Sequence, residues 1–266
     1  MSRFPLRPIT AVGDAHGDYY GFAAVLIHAG LMDAELNWTG GKTVLIQMGD
    51  ILDRGSDALQ IDALLDVLQS AARKAGGDIV RLVGNHELEI LRKNYFITSL
   101  PYAHIEPFRA KLLKGILSGK WHAACGARGF LFTHAGVCDD LYAVFKQETA
   151  SAKMTEAKTA LYINKIFKEA VRDNIYRHAI FNVSKVRGGS DGFGGIFWED
   201  LTSLLASHEN VPLRQIVGHT STAEITFSDS GKIVDIDTGM KRVFEGGFEY
   251  LKIKNKKDVE IIKIAG

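Results

Sequence analysis

Cysteine is scarce here: of 266 residues only Cys125 and Cys138 carry a thiol, and they form no CxxC pair. That fits two reduced thiols in a cytosol better than a disulfide, each acting as a small buried hydrophobe. Nowhere do eighteen apolar residues run together, and Met1–Thr10, with two arginines and two prolines, lacks the apolar core of a signal peptide. A soluble, cytoplasmic protein with no membrane partner is expected. Surplus charge is missing as well: 32 Lys and Arg face 31 Asp and Glu, so no basic field draws nucleic acid. What remains is an ordinary globular composition, 46% hydrophobic, and residues 1–266 read as a single domain with a sizeable core.

The informative residues stand at the ends of short apolar runs. Ile9–Gly13 leads into Asp14-Ala15-His16-Gly17-Asp18, where Asp14 and His16, two apart, share one face of an extended segment. Val44–Met48 leads into Gly49-Asp50-Ile51-Leu52-Asp53-Arg54-Gly55, two carboxylates and a guanidinium between glycines that let the backbone turn. Ile79–Val83 leads into Gly84-Asn85-His86-Glu87, Gly129–Thr133 into His134-Ala135-Gly136, and Leu213–Val217 into Gly218-His219-Thr220. Active sites of open α/β sheets lie beyond the carboxyl ends of the strands, so the five loops are expected to meet.

Between them, helical periodicity spans Tyr19–Ala29 and Ser56–Ala71, with Ser56 as the expected N-cap. Residues 88–119 read as several short helices interrupted by Pro101 and Pro107, and Trp121–Gly126 as one strand. Residues 139–185 read as a helical insertion, with Leu161, Ile163, Ile166, Phe167, Ala170, Val171 and Ile175 as its apolar face. Gly40-Gly41-Lys42-Thr43 fails as a P-loop because Leu36 stands where a glycine is required. Gly188–Gly195 lacks phosphate-cradle spacing and reads as a mobile loop, and the β-rich tail is expected to form a second, largely antiparallel sheet.

Together the loops supply Asp14, His16, Asp50, Asn85, His134 and His219, oxygen and imidazole donors without a thiolate. Six exceed the needs of one tetrahedral zinc and suit two divalent ions bridged by a carboxylate, the usual arrangement for in-line displacement at phosphorus.

In order and spacing these five motifs resemble the phosphoprotein phosphatase family of calcineurin-like metallophosphoesterases, and their wording is similar to its bacterial, Shewanella-like branch. The resemblance runs from Gly13 to Gly239. It implies an α/β fold, a four-layer α/β/β/α sandwich with a helical insertion, and two divalent metal ions, Mn, Fe or Zn. Asp14 and His16 would hold the first ion, Asp50 would bridge, and Asn85, His134 and His219 would hold the second. Arg54 and Asn85 would contact the phosphate. His86, oriented by Asp53, would protonate the leaving group while a metal-bridging hydroxide attacks phosphorus directly. No Cys-x5-Arg loop follows either cysteine, which argues independently against a cysteine nucleophile.

The implied activity is phosphomonoester hydrolysis on phosphoprotein or phosphopeptide substrates, at Ser/Thr, Tyr or both. Dinucleoside polyphosphates and other small phosphate esters are the alternative substrates, and a non-catalytic scaffold is the alternative class. One departure stands out. Many relatives carry a second phosphate-binding arginine two residues after the tryptophan, where this chain has Asp200 after Trp198. Either Arg187 or another arginine of the insertion takes its place, or phosphate is held more loosely.

Overall fold

The computed structural model describes residues 7–151, 154–207, 210–240 and 247–264. Met1–Leu6, and with them part of the segment read above for a leader, lie outside the described residues. Among these residues no helix is long and apolar enough to cross a membrane.

Two sheets pack face to face. In the first, β1 (Ile9–Val12), β2 (Val44–Gln47), β3 (Asp78–Leu82) and β4 (Trp121–His122) are parallel neighbours, with Ile9 opposite Val44 and Val44 opposite Asp78. The second contains β5 (Ala124–Ala127), β6 (Phe130–Thr133), β7 (Gln215–Val217), β8 (Thr226–Phe227) and β9 (Ile233–Asp235), in the order β5-β6-β7-β9-β8. Within it β6, β7 and β9 are parallel, while β5 and β8 pair antiparallel at its edges.

Strand alternation explains the layering. Ile9, Ala11, Val44, Ile46, Val80 and Leu82 face Cys125, Phe130, Phe132, Ile216 and Val234 in an apolar layer between the sheets. Val12, Leu45 and Ile79 point the other way, into the core under the helices. Arg81 shares that outer face. It is fully buried, stacks 3.8 Å above the Trp121 ring and is paired with Asp62 and Asp66 of α2 (Ala58–Lys74). Helix α1 (Tyr19–His28) returns from β1, its first turn capped by Asp18, which accepts from the Gly21 N–H at 2.8 Å.

Several expectations need correction. Residues 102–118 form one helix, α4, after the short α3 (Asn85–Leu91): Pro101 caps it and Pro107 lies within it, because burial of Ile105, Phe108, Leu112 and Ile116 outweighs one missing backbone bond. The Trp121–Gly126 run is two strands in two sheets. Asn164 secures the crossing by accepting from Ala123 and Ala124 N–H groups and donating to the Ala124 carbonyl. Helix α2 starts after Asp57 rather than Ser56, whose hydroxyl bonds the Asp57 carboxylate. The tail divides: β8 and β9 enter a mixed second sheet, whereas β10 (Phe248–Asn255) and β11 (Asp258–Ile264) extend the first sheet, β10 antiparallel to β1 and β11 antiparallel to β10.

The insertion is helical, as read. It holds α5 (Asp139–Thr149) and α6 (Glu156–Asp173), which buries Ile163, Phe167, Ala170 and Val171, while Leu161 and Ile175 face solvent. The glycine-rich segment that follows is pinned rather than loose: Asp191 accepts from Val183 N–H at 2.8 Å, and Gly195 N–H bonds the Asn182 carbonyl at 2.9 Å.

Candidate active site and metal centre

Parallel alignment of β1, β2 and β3 in one sheet, and of β6, β7 and β9 in the other, puts their carboxyl ends at one edge of the sandwich. The loops that follow carry all the expected residues. Their backbone is bent to fit, for His16, Asp50, Asp53, Arg54 and His219 account for five of the ten non-glycine residues with positive φ among the described residues. Such conformations cost of order 1–3 kcal/mol each and persist where surrounding contacts impose them.

One imposing contact is Glu87. Fully buried at the start of α3, its carboxylate accepts from the N–H groups of Gly84 (2.7 Å), Asp50 (2.9 Å), Ile51 (3.0 Å) and Leu52 (3.2 Å). It thus ties the β2 loop to the β3 loop. Gly84 must lack a side chain, because a Cβ there would lie 2.0 Å from Asp50 Oδ1.

Asp50 is central. Its Oδ1 accepts from His86 N–H at 3.0 Å, while Oδ2 lies 3.5 Å from His134 Nε2 and 3.8 Å from both His16 Nε2 and His86 Nε2. Burial pushes its pKa up, but His134 and His86 more than offset this and hold it well below the usual range.

Around it, second contacts set the imidazole tautomers. His16 Nδ1 donates to the Leu52 carbonyl and His134 Nδ1 to the Met48 carbonyl, each at 3.0 Å, so in the neutral rings both Nε2 atoms present lone pairs inward. His134 Nε2 lies 2.9 Å from Asn85 Oδ1 and 3.2 Å from His219 Nδ1, which is itself 2.9 Å from Asn85 Oδ1. Asp14 Oδ2 accepts from His219 N–H at 3.2 Å and sits 3.8 Å from His16 Nε2.

This arrangement fits divalent cations. Asp50, Asn85, His134 and His219 converge as acceptors, and Asp14 Oδ1, His16 Nε2, Asp235 Oδ2 and Asp237 Oδ2 are buried without hydrogen-bond partners. Burial together with Asp237 and Asp50 drives the Asp14 pKa well up, and burial raises Asp237 to about 6. Clustered, desolvated carboxylates of this kind are stabilised by cations. Burial lowers His16 to about 4, keeping it neutral as a ligand must be. The grouping differs in one respect from the expected set: ligand atoms of His16, Asp50 and His86 lie within 4.8 Å of one another, so His86 joins His16 and Asp50, while Asp14 Oδ2 adjoins His16 Nε2 at 3.8 Å.

His86 is partnered on its far side, where Nδ1 meets Asp53 Oδ2 at 2.6 Å. Burial lowers its pKa, but Asp50 and Asp53 outweigh burial and lift it to about 9. Its Nε2 atom faces Asp50 Oδ2 at 3.8 Å. Asp53 is in turn oriented through Oδ1, which accepts from Thr98 Oγ1 (2.9 Å), Ser99 N (2.6 Å) and Ser99 Oγ (3.2 Å). Arg54 is exposed, with its charge felt by Asp14, His16 and Asp237.

All the expected residues are thus brought to one place. Glu87, Thr98, Ser99, Asp235 and Asp237 were assigned no role from the sequence. The acid at the third position of a helix opening was a usable sign for Glu87; nothing local marked the others.

Comparison with known proteins places the chain in a family. The profile of the calcineurin-like phosphoesterase family matches residues 7–223. Shewanella-like protein phosphatase 2 of Arabidopsis thaliana is 44% identical over 80 residues, 30% of this chain and 20% of that protein. Shewanella-like protein phosphatase 1 of Plasmodium berghei (strain Anka) is 38% identical over 79 residues, 30% of this chain and 22% of that one. These alignments span about a fifth of the curated relatives. The crystal structure of a mutant cold-active protein tyrosine phosphatase superposes with a TM-score of 0.70 at 18% identity, covering 97% of this chain and 80% of the other, a likeness of fold. The chain belongs to the calcineurin-like phosphoesterase family.

Proposed function

We propose that the chain is a phosphomonoesterase, dependent on two divalent ions, that acts on phosphoproteins or phosphopeptides at Ser/Thr, Tyr or both. The observation that carries the reading is the Asp53–His86 pair, whose imidazole Nε2 faces Asp50 Oδ2 at 3.8 Å beside the convergent ligand cluster. That is where an acid is needed to receive a departing ester oxygen. The protein phosphatases among the relatives support the substrate class.

In this reading Asp14, His16 and Asp50 would hold one ion, and Asn85, His134 and His219, together with Asp50, would hold the other. Nitrogen and oxygen donors suit Mn, Fe or Zn, which would lower the pKa of water and offset charge on phosphate oxygens. Arg54 and Asn85 orient the phosphate. A water molecule supplies the oxygen that forms the new bond to phosphorus and gives up a proton to solvent; as the P–O ester bond breaks, its electron pair stays on the leaving oxygen, which takes the His86 proton, and Asp53 stabilises the ring throughout. No residue is phosphorylated on the way.

The test is hydrolysis of phosphoserine, phosphothreonine and phosphotyrosine peptides and of diadenosine tetraphosphate, with and without manganese, against an Asp50→Asn control. Metal-dependent peptide turnover that the control lacks is the expected result. Turnover of the dinucleotide alone would overturn the substrate. Neither metal binding nor turnover would leave a scaffold on this fold.

A further inference from the structure

Helices α1 and α2 both start at the site, Tyr19 opening α1 just past Gly17 and Asp57 leading into α2 just past Gly55. Their starts are tied together through the ligand loops: Gly55 N–H bonds the His16 carbonyl at 2.8 Å, and Asp57 N–H bonds the Gly17 carbonyl at 3.0 Å. A Cβ on Gly17 would lie 2.4 Å from the Gly55 carbonyl oxygen, so no side chain parts the two loops. From this seam a groove of about 420 Å³ runs along the outer surface, lined by Tyr19, Tyr20, Leu36, Asp57, Leu64 and Val67 among others. Tyr20 is 71% exposed, Val67 64% and Leu36 41%.

Single exposed apolar side chains need no explanation, but three from three segments sharing one groove do. Leu36 is the most telling of them. It sits at φ 64°, a left-handed turn position that glycine or asparagine fills more easily, and its N–H bonds the Asp33 carbonyl at 3.1 Å. It also lies outside the apolar core, so a leucine held there under strain adds nothing to the packing of the sheets, as expected of a binding residue. Tyr19 meets Tyr20 edge to face, ring centroids 5.5 Å apart, which stiffens the end nearest the site. Charge then selects the occupant. Among the described residues that line the groove there is no lysine or arginine, and the one charged side chain is Asp57. A polyphosphate reaching out from the metal-ligand cluster would meet that carboxylate, whereas a peptide bearing an apolar side chain would meet apolar walls.

We propose that this groove docks a leucine- or phenylalanine-like side chain of the substrate polypeptide, on one flank of the phosphorylated residue, and so selects phosphoproteins over small phosphate esters. The groove is continuous with the ligand loops, so a side chain held in it sets how the peptide crosses Gly17 and Gly55 toward Arg54 and the metal-ligand cluster. Tyr20, Leu36 and Val67 are then specificity residues that touch no reacting atom. This inference rests on the phosphomonoesterase reading and adds what the enzyme recognises beside the phosphate.

The experiment measures kcat and KM of the manganese-loaded protein on phosphoserine, phosphothreonine and phosphotyrosine peptides in which one leucine is moved through the positions on either side of the phosphorylated residue, in an alanine background. The small ester p-nitrophenyl phosphate is run beside them. The proteins are the wild type, Leu36→Asn, which suits the turn, and Val67→Asp, with melting temperatures and sedimentation alongside. Leucine at one position should lower KM about tenfold with kcat unchanged, the effect of burying a side chain of that size. Each variant should lose most of that gain and keep the wild-type kinetics on p-nitrophenyl phosphate and the wild-type melting temperature. Peptide turnover with no preferred leucine position overturns the proposal, as does a preference that both variants keep. Equal losses on the peptide and the small ester would show damage to the site instead of docking, and also overturn it. So would a wild type that dimerises, a monomeric Val67→Asp and an unchanged peptide KM, which would make the groove a contact between copies of the chain. Turnover of p-nitrophenyl phosphate or diadenosine tetraphosphate without any peptide turnover would sink the substrate reading and this inference with it, whereas peptide turnover indifferent to leucine would sink this inference alone.

Discussion

At the scale of single residues, His86 is held by a chain of partners. Asp53 raises the basicity of the ring and fixes its orientation, and Thr98 and Ser99 fix Asp53 by occupying its other oxygen. General-acid assistance is worth roughly 10²–10⁴ in rate, and only when the leaving group is poor. His86→Asn should therefore slow hydrolysis of an alkyl phosphate by about 100-fold or more, and that of an aryl phosphate with a good leaving group far less. Equal losses on both would remove His86 from the acid role. Thr98→Val should shift the alkyl-to-aryl ratio in the same direction but less, with Thr98→Ser restoring it; a fall in melting temperature without a change of ratio would make Thr98 only a packing residue.

Elements decide whether those side chains can meet. Glu87 lies at the start of α3 and serves four N–H groups of two loops, so Glu87→Gln places an amide nitrogen against donors. Unsatisfied buried groups cost about 1–3 kcal/mol each, and a loss of at least that size in chemical denaturation is expected, together with weakened metal binding. Elsewhere helix ends carry only local weight. Gly119 terminates α4 at φ 78°, and a Cβ there would meet nothing closer than the flexible tip of Lys168 at 3.5 Å. Gly119→Ala should cost about 1–2 kcal/mol through backbone strain alone and leave activity intact.

Element identity was largely legible in the chain. The runs before Asp14, Asp50, Asn85, His134 and His219 are strands because short apolar stretches bounded by glycine suit a sheet buried on both faces. Legibility failed where packing overruled local preference. Pro107 does not break α4, since that helix buries an apolar face, and Trp121–Gly126 changes sheets midway because Asn164, some forty residues later, holds the crossing.

Across the whole molecule, two sheets bring six strand ends to one edge, and their helices supply the ionic ties that brace the outer face. Asp66, on α2, gathers Arg81 from β3, Lys111 from α4 and Lys120 beyond it. Burial raises its pKa, but the bonds from Lys111 and Lys120 outweigh this and depress it below the ordinary value of 3.8. A depressed carboxylate stabilises the fold above its unfolded pKa, and that contribution is lost as pH falls through the folded value. The gap in melting temperature between wild type and Asp66→Asn should accordingly be largest near neutrality and narrow as pH drops below about 4. A gap that is constant over this range would show that the ionic ties do not brace the fold.

The sequence by itself determined the residue types of the site and the strand ends on which they stand, because metal-ligand chemistry and sharp glycine turns leave local marks. Tertiary structure alone decided what aims and supports those residues. The Thr98 and Ser99 hold on Asp53, the buried Asp235 and Asp237, and the pairing of Arg187 with Asp200 and Thr220 join positions far apart in the chain. Their contacts exist only once the two sheets have closed on each other and the insertion has folded back over their edge, and no local spacing encodes that closure.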